Sequence, residues 1–367
     1  MIIIKYLNSK GLEGYIQSDE FRMAKHIAIS KHRAISHLTN PKAHDDDILL
    51  ILAYEEDVMV GYLGILPDDL VSSSGQHIHV GWMSCLWIDP IHRGKKIASQ
   101  LVSACLSSWN HHIILTEYTP EAGKLYRKSK LFDEVRISIG RRWYLQSNLT
   151  RLLPPKSKRW SAVSPVLVIV DATVNTLIKG IKIFETHKPF PYIISDIDFT
   201  DDEMAIQFEN NKHKSLFTRT WTDFDWMLKY PWILQGNDHS SDAQRYHFSS
   251  FERFFIFKAC SLKDEDGLLL VLIIFSIRNG HLRIPYLFHD NQDRVVRDLI
   301  SHLIHQYDVL MFTTYHADLL QIFQSHTLGR YFSKSVKRSY MASKEIAHHF
   351  SDHGLLIEDG DGDCAFT

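Results

Sequence analysis

The spacing of apolar and polar residues divides the first part of the chain into short strands and helices. Strand-like runs are predicted at Ile2–Leu7, in a hairpin from Asp47 to Ile65 that turns at Glu55–Asp57, and at His77–Ile88. Residues 18–39 carry apolar side chains at helical spacing and predict one or two helices. Antiparallel strands before the first long helix are not the order of a Rossmann unit, whose first strand leads directly to a glycine-rich loop.

A basic loop follows the strand that ends at Ile88. Downstream, apolar residues of Ile97–Trp109 recur at three- and four-residue steps, which is typical of one buried face of a helix. Arg93, Lys95 and Lys96 therefore lie at a helix N-terminus, where unpaired N–H groups and the helix dipole favour an anion, above all a diphosphate. A basic surface loop without a ligand is the alternative that these residues leave open.

A second strand and helix follow. Ile113–Thr116 predicts a short buried strand, and Thr119 followed by Pro120 is a typical helix start. This helix carries Tyr126 on its apolar side, and the strand-like run Val135–Leu145 is expected to close the unit.

The rest of the chain partly repeats this order. The apolar stretch Ala162–Ile181 contains Asp171 and Lys179, so a buried or interdomain helix is favoured over a membrane span. Later elements are predicted as strands at Tyr192–Phe199, Phe251–Cys260, Leu268–Ile277, Leu282–Phe288 and Val309–Thr314, and helices at Asp293–Tyr307 and Ala317–Ser325. The predicted domains are residues 1–147, a connector with a packing helix at 148–191, a second domain at 192–346 and an acidic tail at 347–367.

Composition limits the function classes. The 367 residues are 45% hydrophobic and carry a net charge of −2, which gives no support for binding to nucleic acid or to an anionic membrane. Four scattered cysteines without Cys-x-x-Cys spacing indicate reduced thiols in a cytoplasmic protein. Among the 22 histidines, neither the pair His77 and His79 nor the group His348, His349 and His353 has a Cys, Asp or Glu partner at recognisable metal-ligand spacing, so no metal is expected.

The basic loop resembles motif A of the GCN5-related N-acetyltransferase (GNAT) superfamily, in which a strand, a proline and Arg/Gln-x-x-Gly-x-Gly/Ala precede a helix. Here Pro90 follows the strand, Arg93 holds the first position and Ala98 the last. The middle glycine is replaced by Lys96, which either turns outward and adds a phosphate contact or spoils the loop. The helix that begins after Thr119 resembles a later motif of the same superfamily, with Tyr126 at its tyrosine position.

The resemblance implies an α/β (α+β) fold of two GNAT-like acyl-CoA N-acyltransferase domains, each a mixed, mostly antiparallel sheet flanked by helices. It also implies acetyl-CoA as the cosubstrate, with the pyrophosphate in the loop, the pantetheine arm along the preceding strand, and Tyr126 as the acid that protonates the departing thiolate. A core tyrosine is the alternative for Tyr126. The expected cofactor-binding residues are Leu86, Ile88, Arg93, Gly94, Lys95, Lys96, Ile97, Ala98 and Thr119.

The reaction implied is acetyl transfer to a primary amine of a small metabolite or amino sugar, by direct attack in a ternary complex. Glu117 and His79 are the candidates for the general base that the amine requires. The alternative is a non-catalytic GNAT-like binding or regulatory protein. In either case the oligomeric state is not encoded in any pattern of the chain.

The second half lacks this chemistry, because Asp290–Asp293 stands where the basic loop would be. Its aromatic residues are expected to serve mainly core packing. The acidic tail Glu358–Thr367 is expected to be disordered. A more specific hypothesis is that Phe366 anchors the tail and that the tail carboxylates bind the acceptor amine.

Overall fold

The structure is a computed structural model of the chain. It describes residues 1–72, 74–147, 149–152, 157, 163–184, 192–211, 215–236, 241–264, 266–324, 332–351 and 355–366. The predicted connector at 148–191 lies partly outside the described residues, as does Thr367 of the acidic tail.

Strands and helices alternate along the described chain. The strands are β1 Ile2–Leu7, β2 Leu50–Glu55, β3 Val58–Val71, β4 His77–Ile88, β5 Ile113–Thr116, β6 Phe132–Tyr144, β7 Ile194–Asp196, β8 Leu234–Gln235, β9 Phe251–Glu252, β10 Phe255–Lys263, β11 Leu269–Arg278, β12 His281–His289, β13 Met311–Thr314 and β14 Ser333–Ser343. The helices are α1 Ser9–Gln17, α2 Asp19–Met23, α3 Lys31–Leu38, α4 Ile97–Ser108, α5 Pro120–Ser129, α6 Leu149–Leu152, α7 Ser164–Phe184, α8 Asp202–Asn211, α9 Trp221–Lys229, α10 Ser241–Arg245, α11 Asp293–Gln306 and α12 Ala317–Gln324.

One sheet of twelve strands runs through both halves of the molecule, in the order β1-β2-β3-β4-β5-β14-β6-β13-β12-β11-β10-β7. Neighbouring strands are antiparallel except for β4 with β5 and β12 with β13, which are parallel. Helices flank this mixed, mostly antiparallel sheet, so the predicted α/β (α+β) class is confirmed. The domain boundaries stay a prediction.

The two halves exchange their last strands. The expectation that Val135–Leu145 closes the first unit is wrong, because β6 pairs with β13 and β14 and not with β5. In return β14, which the sequence analysis did not anticipate, pairs with β5 through Tyr340–Ala342. The alternation within a strand specifies its two faces but not its neighbour, so the pattern alone could not reveal the exchange.

The N-terminal elements follow the predicted pattern with two differences. The predicted hairpin turn is confirmed, with Glu56 and Asp57 both at positive φ (49° and 62°), as in the two-residue turns that suit twisted strands. Residues 18–39 form the two short helices α2 and α3. Helix α1, whose N-cap is Asn8, is not among the predicted elements, and β3 extends to Val71 instead of ending at Ile65.

Four clusters of buried side chains hold the sheet and its helices together. One lies under α4 and α5 in the first half, one under α11 and α12 in the second half, and one under α1 to α3. The fourth crosses from one half to the other and includes Trp82 of β4 and Tyr286 of β12. Burial of apolar surface at about 25 cal/mol per Å² makes this shared cluster a major link between the halves.

The apolar segment after residue 160 forms α7. Its Asp171 accepts hydrogen bonds from the Ser147 hydroxyl and from the N–H groups of Leu149 and Thr150, which fixes α7 to α6. Despite its apolar sequence, α7 does not qualify as a membrane span, and neither does any other helix of the described chain.

The aromatic residues of the second half and the acidic tail meet in the shared cluster. Trp226 and Trp232 are buried there and Trp221 and Tyr230 pack against it, which confirms core packing as their role. The expected disorder of the tail is wrong, because residues 358–366 are almost entirely buried. Its carboxylates are matched by buried cations that the local composition could not reveal.

Candidate functional site

The strands β4 and β5 part from each other in the middle of the sheet. They pair only through Gly81 with Ile113 and Trp82 with Ile114, after which β5 pairs with β14 on its other side. Beyond Trp82, β3 is the one described strand that pairs with β4. The gap therefore exposes one row of β4 backbone N–H and C=O groups to a ligand.

A β-bulge distorts β4 within this gap. The register slips between Tyr62 and Gly64, where two residues of β4, Cys85 and Leu86, oppose the single residue Leu63 of β3, and Cys85 has φ of 52°. An extra residue in the left-handed conformation redirects the following backbone groups. Leu86 and Ile88, which were predicted to contact the cofactor, lie directly after the bulge and are half-buried.

The basic loop connects the end of β4 to α4 as predicted. Gly94 has φ of 88° and Lys96, the N-cap of α4, has φ of 62°. The left-handed backbone at Lys96 is the physical reason why a glycine suits this position, and a lysine there carries a cost of about 1–2 kcal/mol. Its side chain is exposed, so it points away from the core and not into the helix.

The remaining loop residues differ in how far their charges are neutralised. Arg93 is exposed, whereas Lys95 donates to Glu55 at 2.7 Å and His92 lies 3.2 Å from the same carboxylate. Ile97 is 1% exposed, so its side chain belongs to the core and only its backbone N–H faces the loop. Ala98, which supplies the next N–H group of the helix, is half-buried.

The loop has the donors and the space that a diphosphate requires. A Cβ atom at Gly94 would meet no other atom within 4 Å, so the outer side of the loop is open. The first N–H groups of α4 have no carbonyl partner within the helix, and Arg93 and Lys96 add positive charge beside them. These residues fit the pyrophosphate of a CoA thioester.

Helix α5 lies across the gap from the end of β4. Leu86 and Ile88 from β4 and Tyr118 and Ala122 from the α5 side pack against the same buried cluster, which contains Tyr126. The Thr119 hydroxyl accepts a hydrogen bond from the Ala122 N–H and so caps α5. The structure thus brings the two predicted motifs together around one gap.

Tyr126 is 4% exposed and packs edge-on against Tyr118 and Phe132. Burial, followed by the neighbouring Cys105, raises its pKa above the ordinary range for a phenol. Tyr126 therefore carries its proton at neutral pH, as a general acid must.

Glu117 directly follows β5, has φ of 49° and forms ion pairs with two arginines of the second half. Arg338 of β14 lies 2.9 Å from its carboxylate and Arg283 of β12 lies 3.2 Å away. Burial raises the pKa of Glu117, but the two guanidinium groups together lower it below its usual value. Glu117 is thus a weak base that links β5 to the second half.

His79 lies far from the loop. It precedes the bulge residue Cys85 by six strand residues, or about 20 Å at 3.3 Å per residue. Its Nδ1 is 3.0 Å from Asp69 and its Nε2 is 2.9 Å from Asp47. Burial lowers the pKa of His79, but hydrogen bonds to the two carboxylates raise it to about 9, so the imidazole is protonated at neutral pH.

His79 also belongs to the one group of described residues whose side-chain atoms lie close enough together to hold a metal ion. The ligand atoms of His44, Asp47 and His79 lie within 4.8 Å of one another. The His44 and His79 rings stack with centroids 4.0 Å apart. Because both nitrogens of His79 already contact carboxylates, we interpret this group as a network of ion pairs.

Arg33 is a buried arginine beside the bulge that is not among the predicted site residues. It is 4% exposed, donates from Nη2 to the Ser84 hydroxyl at 2.9 Å and from Nη1 to Cys85, and lies 3.6 Å from the Trp232 ring centroid. Within the described chain no carboxylate lies within 4 Å of its guanidinium. Its position in an amphipathic helix carried no signal, because contacts across 50 to 200 residues create this environment.

Comparisons with known proteins agree with this geometry. Residues 16–128 match the model of the acetyltransferase (GNAT) family, which covers the gap, the bulge, the loop and Tyr126. No curated protein sequence matches the chain.

Solved structures resemble most of the chain at low identity. A probable N-acyltransferase of unknown function from Enterococcus faecalis V583 is 10% identical, with a TM-score of 0.51 over 94% of this chain and 73% of that one. Saccharomyces cerevisiae N-myristoyltransferase with bound myristoyl-CoA is 10% identical, with a TM-score of 0.52 over 93% of this chain and 82% of that one. These likenesses show that the fold of both halves together has precedents.

Proposed function

Residues 16–128 are a domain of the GNAT acetyltransferase family, and from this premise we propose that the protein transfers an acyl group from a CoA thioester to a primary amine. We propose acetyl-CoA as the donor and a small metabolite or amino sugar as the acceptor. The observation that carries the proposal is the continuity of the loop, the bulge and the open edge of β4 along one gap. A cytoplasmic location remains a prediction.

Each part of the gap has a distinct role in this proposal. The α4 N-terminus with Arg93 and Lys96 holds the pyrophosphate, and Thr119 stands at the opposite rim. The open backbone groups at Leu86 and Ile88 hold the amides of the pantetheine arm. The thioester then lies between the bulge of β4 and α5, where Tyr126 supplies a proton to the departing sulfur.

The catalytic gain comes mainly from positioning. An amine held against the carbonyl carbon attacks as if in an intramolecular reaction, which can lower the barrier by several kcal/mol. The second half forms the opposite wall through Arg283 and Arg338 of the strands that face Glu117. Its own loop, with Asp290 and Asn291 exposed before α11, gives no site for a second pyrophosphate.

Calorimetric titration of acetyl-CoA tests the proposal. We expect micromolar affinity for the wild type and a loss of about tenfold or more for Arg93→Ala, because a charge-assisted phosphate contact contributes about 1.5–3 kcal/mol. Arg253→Ala is the matched control, since Arg253 is an exposed arginine of the second half. Equal affinity in all three proteins, or no binding at millimolar acetyl-CoA, would refute the assignment of the loop.

A further inference from the structure

The C-terminal segment, residues 358–366, lies across the crevice between the two halves at the point where β4 and β5 part. Phe366 stacks on Trp232 with ring centroids 4.5 Å apart and an interplanar angle of 10°. Gly362 lies so close to Trp82 that a Cβ atom there would be 2.5 Å from the indole ring. Because Trp82 is the last β4 residue that pairs with β5, the segment passes directly beside the mouth of the gap.

Three of the four carboxylates in this segment are committed to structural contacts. Asp361 is fully buried and lies 3.1 Å from the Arg219 guanidinium. Asp359 accepts from the Tyr315 N–H at 2.8 Å and lies 3.4 Å from Arg338. Glu358 lies 3.5 Å from His316.

Asp363 differs from these three. Within the described part of the chain its carboxylate forms no ion pair within 4 Å. The side chain is partly exposed, whereas its neighbours Gly362 and Cys364 are buried. The segment thus fixes the backbone on both sides of Asp363 and leaves this one carboxylate available.

The charged groups around Asp363 belong to elements on both sides of the gap between β4 and β5. It interacts electrostatically with Glu117 at the end of β5, with Arg33 beside the bulge of β4, and with Arg338 of β14. Cys85, the bulge residue, also lies within its electrostatic reach. Because Asp363 follows Gly362, which lies against Trp82 at the last β4–β5 pair, it stands beside the space that the proposed function assigns to the thioester and the incoming amine.

We propose that Asp363 is the general base that accepts a proton from the acceptor amine, a role that rests on the proposed acyl transfer. The ammonium group gives one proton to the Asp363 carboxylate. The neutral nitrogen then attacks the thioester carbonyl, so that the C–N bond forms and the C–S bond breaks. Tyr126 protonates the departing thiolate and is restored by the second proton that the nitrogen loses, and Asp363 later releases its proton to solvent.

The electrostatic environment suits this role. Burial and the nearby Glu117 raise the pKa of Asp363, Arg33 and Arg338 lower it, and the resulting pKa is about 6. A carboxylate of pKa near 6 is ionised at pH 7.5 and is a stronger proton acceptor than an ordinary aspartate. Glu117, held between two arginines, and His79, already protonated, are weaker acceptors.

Steady-state kinetics of thiol release from acetyl-CoA test the proposal, with D-glucosamine, L-lysine and ethanolamine as amine probes. We expect Asp363→Asn to lower kcat/KM by at least about 100-fold and to remove the acidic limb near pH 6 from the pH profile. Asp363→Glu should recover part of the rate. The matched control is Asp133→Asn, which removes an exposed carboxylate on β6, and calorimetry should show unchanged acetyl-CoA affinity in all variants.

The outcomes separate this proposal from the proposed function. No acetyl-CoA binding by the wild type would refute the proposed function itself. Binding without thiol release by the wild type would favour a non-catalytic binding protein and refute the proposed acyl transfer together with the base, whereas equal rates for wild type and Asp363→Asn would refute only the base. If the Asp363→Asn variant is slow but keeps the acidic limb of the pH profile, or if it also loses its affinity for acetyl-CoA, then Asp363 has a structural role. Either result would overturn the proposal as well.

Discussion

The tail is attached to the sheet by a buried ion-pair network whose removal should have a large, pH-dependent effect. Arg219 is 7% exposed and bonds both oxygens of Asp68, at 2.8 and 2.7 Å, in addition to Asp361. Asp68 also accepts from the Trp82 indole at 3.0 Å. Because Asp68 is 2% and Asp361 0% exposed, Arg219→Met would leave two buried carboxylates without their cation.

The magnitude follows from the burial of the network. Removing one partner of a buried pair costs about 3–5 kcal/mol, and we expect a loss in this range in the free energy of unfolding at pH 8. Arg22→Met is the control, because Arg22 and Asp19 form an exposed pair with side chains 66% and 86% accessible, worth at most about 1 kcal/mol. Guanidinium unfolding followed by tryptophan fluorescence measures both.

The sign of the pH dependence is set by Asp361. Burial raises its pKa to about 7, despite Arg219, from an ordinary value near 4, so the folded protein holds this proton more tightly than the unfolded chain does. Such a group stabilises the fold at low pH, and its contribution disappears as the pH rises through 7. Without Arg219 the pKa rises further, so the loss in Arg219→Met should be smaller at pH 5 than at pH 8 by at least about 1 kcal/mol.

A loss below about 1 kcal/mol at pH 8, or a loss that grows toward pH 5, would contradict the burial and the pairing of this network. In the first case the carboxylates would reach water, and in the second they would find another cation.

Two further predictions concern the donor site. Lys96→Gly should raise the melting temperature relative to Lys96→Ala, because both remove the charge but only glycine relieves the left-handed backbone; equal melting temperatures in a thermal scan would exclude strain at this position. Tyr126→Phe should keep the fold and the acetyl-CoA affinity measured by calorimetry but lower kcat at least about tenfold, whereas an unchanged kcat would restrict Tyr126 to core packing.

Local patterns predicted the elements that carry the donor site. The apolar spacing after Ile97, the cap at Thr119 and the turn at Glu56-Asp57 each depend on residues that are close in sequence. The resemblance to the GNAT superfamily, and not these local patterns alone, implied the class of fold. They could not give the exchange of β6 and β14, because a strand with one polar and one apolar face can pair with several neighbours.

The acceptor side of the site depends on contacts that are distant in sequence. Asp363 acquires its environment from Arg33, 330 residues earlier, and from Arg338 across the crevice. An acidic, glycine-containing tail indicates disorder by composition alone. That expectation is wrong because the buried guanidinium groups of Arg33, Arg219 and Arg338 come from three separate parts of the chain. No local pattern of the tail indicates them.

The exchange of strands gives a second half without a basic loop a part in the proposed site. The strand β14 covers β5 on the side opposite β4, and its Arg338 reaches both Glu117 of the first half and Asp359 of the tail. In return β6 lies between β14 and β13, so residues 1–147 taken alone would leave both β5 and β6 without their partners. An unpaired strand edge carries a row of unsatisfied N–H and C=O groups. The first half therefore depends on the second for its sheet, and the crevice that holds Asp363 exists only when both are joined.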